Sequence, residues 1–304
     1  MTQRIDGTVA FHGERLAWSS RGTGPTTVVL LHGLLLDRRM HDRLATALAT
    51  AGHRVLTIDL LGHGGSSRPA ATEMCSTASY ADQVIAVLDH LHVARAVIGG
   101  TSLGANVSLE VACRHPERVA GLVIEMPVLD NALVAAAATF TPLLALLSVA
   151  ARPLRLLTSP TRRVPRRGLP GVVAMAFDVA TQPPDGAAGV LRGLLFGRTA
   201  PTHGDRIRIT APTLVIGHAR DPIHPFSDAD MLAREVPGAR LLRATSILEL
   251  RLRPARLTTA IADFVDGCAS AARRGPGTPT RSRRSETTPH ARRPSTRTRA
   301  RRAA

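Results

Sequence analysis

A chain of 304 residues is long enough to bury a large core, and 44% hydrophobic residues with a mean hydropathy of +0.05 argue against a disordered chain. Only 3% of residues are aromatic, with one Trp and one Tyr, so the core has to be aliphatic. The net charge of +16 is unevenly placed: residues 269–304 hold 11 Arg against one acid, Glu286, so +10 lies there and +6 in the rest.

The body is therefore only mildly basic. With so few aromatic side chains for stacking, a nucleic-acid-binding body is not expected. All 39 basic residues are arginine, a coding bias that weakens a functional reading of any single one. Cys75, Cys113 and Cys268 are odd in number, widely spaced and without a Cys-x-x-Cys pair, so neither a disulfide framework nor a zinc site is expected. Met1–Ala10 lacks a basic segment followed by an apolar run, so no signal peptide is read there and the cytoplasm is the default location.

Taken in chain order, buried strands are predicted at Val28–Leu31, Arg54–Ile58, Ala96–Ile98 and Val119–Ile124, each a short apolar, β-branched run. Helices are predicted between them at His41–Ala51, Tyr80–Leu91 and Ala105–His115, the last stopping before Pro116. Strands interleaved with helices imply an α/β fold: a mostly parallel central sheet with helices on both faces. From residue 127 to 205 the pattern changes to Ala/Leu-rich and then Arg/Pro-rich sequence without such strands, which reads as a helical insertion. Ala132–Ala151 has 20 residues without a charge, the length of a membrane span, but Pro142, three hydroxyl residues and much alanine favour cap helices over a membrane contact. The core resumes over residues 206–268, with strands at Thr213–Ile216 and Ala239–Leu242 and a helix at Pro254–Val265. Residues 269–304, rich in Arg, Pro, Ser and Thr, read as a disordered tail capable at most of a weak polyanion contact.

The chemistry centres on Gly100-Thr101-Ser102-Leu103-Gly104, a G-x-S-x-G sequence between a predicted strand and a predicted helix. A nucleophile on so sharp a turn needs small neighbours, and the helix N-terminus favours negative charge beside it. His32-Gly33-Leu34 follows the Val28–Leu31 strand, and Asp59-Leu60-Leu61-Gly62-His63-Gly64-Gly65-Ser66 follows the next. In this order of features the chain resembles the α/β-hydrolase family, in its esterase, lipase and epoxide-hydrolase-like branch, over residues 7–266. The resemblance implies that residues 1–126 and 206–268 form one core and that 127–205 form a helical cap. It also implies that Ser102 is the nucleophile and that the backbone N–H groups of Leu34 and Leu103 form the oxyanion hole. Asp221, in His218-Ala219-Arg220-Asp221-Pro222, matches the family's catalytic acid. Glu125 matches a second acid position used by haloalkane-dehalogenase-like members, whose nucleophile, however, is Asp.

One family feature is missing. The stretch Leu241–Pro254, where the catalytic histidine is expected, contains none, and Ile247 stands at its position. His224, His218 and His32 are the substitutes, with Glu249 a further candidate; the remaining expectation, narrowly preferred, is that no conventional base exists. Two functions follow. One is a serine-dependent hydrolase acting by acyl transfer on a small to medium apolar ester-like substrate. The other is a catalytically degenerate member of the fold that binds a hydrophobic ligand or partner. With no metal cluster, phosphate loop or dinucleotide fingerprint, no cofactor is expected.

Overall fold

A computed structural model describes residues 3–158 and 171–274. Most of the expected tail, 275–304, and the centre of the Arg/Pro-rich stretch, 159–170, lie outside the described residues.

The chain opens with a hairpin that the sequence reading did not name: β1 (Arg4–Phe11) and β2 (Glu14–Arg21), antiparallel from Arg4 opposite Arg21 to Phe11 opposite Glu14. Its turn is His12-Gly13, both at positive φ, the conformation a tight hairpin requires. Gly7 is needed for packing, because a Cβ there would stand 2.2 Å from the Trp18 ring on the facing strand. Then come β3 (Thr27–Leu31), α1 (Asp42–Thr50), β4 (Arg54–Asp59), α2 (Thr77–His90), β5 (Ala96–Thr101), α3 (Leu103–Arg114) and β6 (Val119–Glu125). Each of these lies where an apolar strand or helix was predicted.

Between β6 and β7 (Thr213–His218) the chain makes a helical excursion: α4 (Leu133–Val149), α5 (Ala151–Thr158), α6 (Gly171–Ala180), α7 (Pro184–Leu195) and the short α8 (His203–Arg206). Pro142 sits inside α4, and among the described residues no helix is long and apolar enough to cross a membrane. The core closes with α9 (Phe226–Glu235), β8 (Arg240–Ala244), α10 (Glu249–Leu252) and α11 (Ala255–Arg274). The last helix thus runs beyond the expected boundary at residue 268. Cys268 and Ala269 are buried, and Cys268 packs where a Cβ on Gly121 would meet its sulfur at 2.6 Å.

Among the described residues, eight strands form one sheet in the order β1-β2-β4-β3-β5-β6-β7-β8, antiparallel at β1 and β2 and parallel from β4 onward. Its two faces carry separate aliphatic cores. One gathers Tyr80, Val84 and Leu88 of α2 with Val107 and Val111 of α3; the other gathers Leu44 and Leu48 of α1 with Leu257, Ile261 and Phe264 of α11. Two helical layers over one parallel sheet explain why β3 and β5 are buried along their whole length.

β3 lies between β4 and β5, so the connections on either side of it leave in opposite directions. This is a topological switch point, and a crevice opens outside the carboxyl ends of the two strands. Leu34 follows β3 and Ser102 follows β5, so the fold delivers both to that crevice.

Candidate active site

Ser102 joins β5 to α3 with φ 56° and ψ −110°, a left-handed conformation that costs a non-glycine residue ~1–3 kcal/mol. The turn is held because the Ser102 N–H donates to the Glu125 carbonyl at 2.9 Å. Close backbone approach explains the flanking glycines. A Cβ on Gly104 would lie 2.2 Å from the Leu31 carbonyl oxygen, and one on Gly100 would lie 2.7 Å from it. Gly104→Ala is therefore expected to destabilise the fold by about 3 kcal/mol, as a misfit that no side-chain rotation relieves; a melting temperature equal to that of the parent would contradict this close fit.

The Asp59–Ser66 loop is a structural brace. Asp59 Oδ1 accepts the Arg38 N–H at 2.7 Å, its Oδ2 accepts the Gly65 N–H at 2.8 Å and pairs with the Arg38 guanidinium, and Ser66 Oγ donates to the Asp59 carbonyl. His32 is equally committed: its Nε2 accepts the Leu60 N–H at 3.1 Å, leaving Nδ1 to donate to the Gly33 carbonyl at 2.9 Å. Burial depresses its pKa, which favours a neutral imidazole with both ring nitrogens already engaged.

The loop between β7 and α9 brings Asp221 and His224 together. Asp221 Oδ1 accepts the N–H groups of Ile223 and His224, both at 2.9 Å, an Asx turn that bends the chain back on itself. Its Oδ2 accepts a hydrogen bond from His224 Nδ1 at 3.0 Å. The opposite ring nitrogen, Nε2, lies 2.8 Å from Ser102 Oγ. With Nδ1–H committed to the carboxylate, Nε2 is the acceptor and the serine hydroxyl donates to it. Burial would raise the Asp221 pKa, but the His224 ring and the two backbone donors outweigh it and hold it at about 2.

The other candidates are occupied elsewhere. His218 is buried with Nδ1 2.8 Å from the Ser246 carbonyl, and its Nε2 lies 3.4 Å from Glu125 Oε1, an electrostatic contact without hydrogen-bond alignment. Burial alone would lower its pKa; the neighbouring Glu125 carboxylate raises it. Glu249 accepts from the Thr245 hydroxyl at 2.7 Å and from Arg256 Nε at 2.8 Å, and these partners, Arg256 first, hold its pKa at about 2, too low for a base. Ile247 is 43% exposed. Glu125 is buried and pairs with Arg251 Nη2 at 3.0 Å and with the Thr101 hydroxyl. Burial opposes its ionisation, yet Arg251 keeps its carboxyl far below the usual carboxylate range. Arg251 was not singled out from the sequence, where it is one arginine among many beside two leucines.

A cavity of about 70 Å³ reaches Ser102. It is lined by Leu34 and Leu103, by Ala136 and Phe140 of α4, and by Leu191 and Leu195 of α7. The amide of Asn106, also on its wall, is taken up by the carbonyls of Val128 and Thr199, so the cavity surface is nearly all apolar. The Leu103 N–H, at the first turn of α3, has no acceptor within its own helix.

Known proteins agree with this architecture. Over 111 residues, 36% of this chain, the sequence is 40% identical to the dihydrolipoyllysine-residue acetyltransferase component of the acetoin cleaving system of Pseudomonas putida, covering 29% of that protein. It is 33% identical over 97 residues to a haloalkane dehalogenase of Mycolicibacterium paratuberculosis, 32% of each protein. Matches to curated relatives thus span only about a third of those proteins' length. Among solved structures, the enol-lactonase of Burkholderia xenovorans superposes with a TM-score of 0.70 at 21% identity, over 86% of this chain and 100% of that one. A family model described as the α/β-hydrolase fold matches residues 26–244, and with it the chain is shown to belong to the α/β-hydrolase family.

Proposed function

We propose that this protein is a serine hydrolase that cleaves small to medium apolar esters by acyl transfer. The observation that carries the proposal is the chain of hydrogen bonds from Asp221 through His224 to Ser102 Oγ. In the first half-reaction His224 Nε2 takes the hydroxyl proton as Ser102 Oγ bonds to the ester carbonyl carbon. The resulting oxyanion is held by the N–H groups of Leu34 and Leu103, each worth on the order of 3 kcal/mol. Collapse breaks the bond to the alcohol, which leaves with the proton from His224. Water then attacks the acyl-enzyme, gives a proton to His224 and releases the acid, and Ser102 recovers its own proton from His224. Asp221 holds the ring in the tautomer that this cycle requires.

The helices between β6 and β7 act in this reading as a cap, since α4 and α7 wall the cavity. An apolar pocket of this size suits short aliphatic acyl groups. Phe140→Ala should move the chain-length preference upward, with kcat/KM rising for octanoyl and falling for butyryl aryl esters. An unchanged profile would remove Phe140 from the acyl site. The test of the function itself is hydrolysis of a short-chain aryl ester by the purified protein and its loss in Ser102→Ala. Absence of turnover would favour the alternative, a degenerate family member that binds a hydrophobic ligand.

A further inference from the structure

We propose that Arg251 is a positioning residue for Ser102, an inference that rests on the hydrolase reading above. Arg251 comes from α10, in the stretch where the family resemblance led us to expect the catalytic histidine. Its side chain is only 10% exposed and its Nη2 donates both to Thr101 Oγ1 at 2.9 Å and to Glu125 Oε2 at 3.0 Å. These two residues hold the nucleophile: Thr101 precedes Ser102, and the carbonyl of Glu125 accepts the Ser102 N–H at 2.9 Å. Thr101 Oγ1 is also bonded to Glu125 Oε2, so guanidinium, hydroxyl and carboxylate close a small ring under the turn. On the far side of Glu125 lies His218 Nε2, 3.4 Å from Oε1. The main chain of Arg251 is fixed in turn, since its carbonyl accepts from Arg43 Nη1 at 3.1 Å.

A left-handed serine persists only if its surroundings over-determine it. The backbone bond to Glu125 does so only while strand β6 keeps its register beside β5, and the Arg251 fork ties the ends of those two strands together. Thus the segment that lacks the histidine still reaches the site, from beneath the turn. Arg251 touches neither Ser102 Oγ nor His224; it acts by holding the backbone that aims the hydroxyl.

The test compares the full-length protein with Arg251→Met, Arg251→Lys and the double variant Arg251→Met/Glu125→Gln, using a fluorophosphonate probe. The final labelled fraction counts folded sites and the rate constant reports how well the serine is aimed. Arg251→Met should label about 10²-fold more slowly per site, as expected for a nucleophile displaced by about 1 Å. Arg251→Lys should recover part of that rate, and added guanidinium should partly rescue Arg251→Met while leaving the parent unaffected. The double variant, with both buried charges removed, keeps the inference testable if the single variant fails to fold; it should melt near the parent and remain slow. Parent-like rates per folded site would overturn the inference, since a purely structural arginine alters only the folded fraction. Absence of labelling in the parent would defeat the hydrolase reading instead. The crystal structure of the double variant would then decide: a shifted Ser102 turn supports the positioning role, and an unaltered 2.8 Å contact with His224 overturns it.

Discussion

Replacing His224 by alanine is expected to lower turnover of a short-chain aryl ester by about 10³-fold or more while lowering the melting temperature only modestly. The ring is the group within hydrogen-bond reach of Ser102 Oγ that has a free lone pair, because its other nitrogen donates to Asp221. The effect on stability is small because the Asx turn is made by the backbone N–H of residue 224, which alanine keeps. Ile247→His, which restores the family's usual position, should add little in the parent background, since His224 already occupies the acceptor site of the serine. If His224→Ala were silent and Ile247→His raised activity, the base would be absent and the observed contact without catalytic use.

Asp221→Asn should be at least as damaging, with kcat falling on the order of 10⁴-fold and KM little changed. An amide presents its NH2 or its oxygen to His224 Nδ1. If the NH2 faces the ring, the ring proton is driven to Nε2, and the serine loses its acceptor. The pH behaviour has a defined sign. The Asp221 pKa is depressed to about 2 by the His224 ring and the turn, so its contribution to stability is complete above its unfolded value near 3.9 and is lost as pH falls toward 2. The parent should therefore lose stability below about pH 4 more steeply than Asp221→Asn. Parallel acid-unfolding curves measured by circular dichroism would contradict that linkage.

Much of the fold was legible because parallel strands buried on both faces leave an unbroken apolar run, as in Val28–Leu31 and Leu122–Ile124. β1 was not legible: it is an edge strand with no buried residue, each being intermediate or exposed, and its Gly7 is explained only by Trp18 on the facing strand. The end of α11 was misplaced because Ala269 and Ser270 resemble the start of a polar tail, although Ala269 still packs on the core. At the site, Ser102 and Asp221 could be located from strand-turn context. The path of His224 could not, because it depends on a turn that Asp221 makes with the backbone of the same loop, and no spacing rule reports that. Arg251 carried even less signal, since a leucine-flanked arginine in a short helix reads as a solvated side chain until its contact with Glu125 is seen.

The central claim is that Asp221 and His224, from one loop, activate Ser102. Its most direct measurement is the site and rate of fluorophosphonate labelling, mapped by mass spectrometry, in the parent and in His224→Ala. An activated serine predicts rapid, stoichiometric modification of Ser102 in the parent and a labelling rate lower by about 10³-fold in His224→Ala. Equal rates in the two proteins, or modification of a residue other than Ser102, would contradict it.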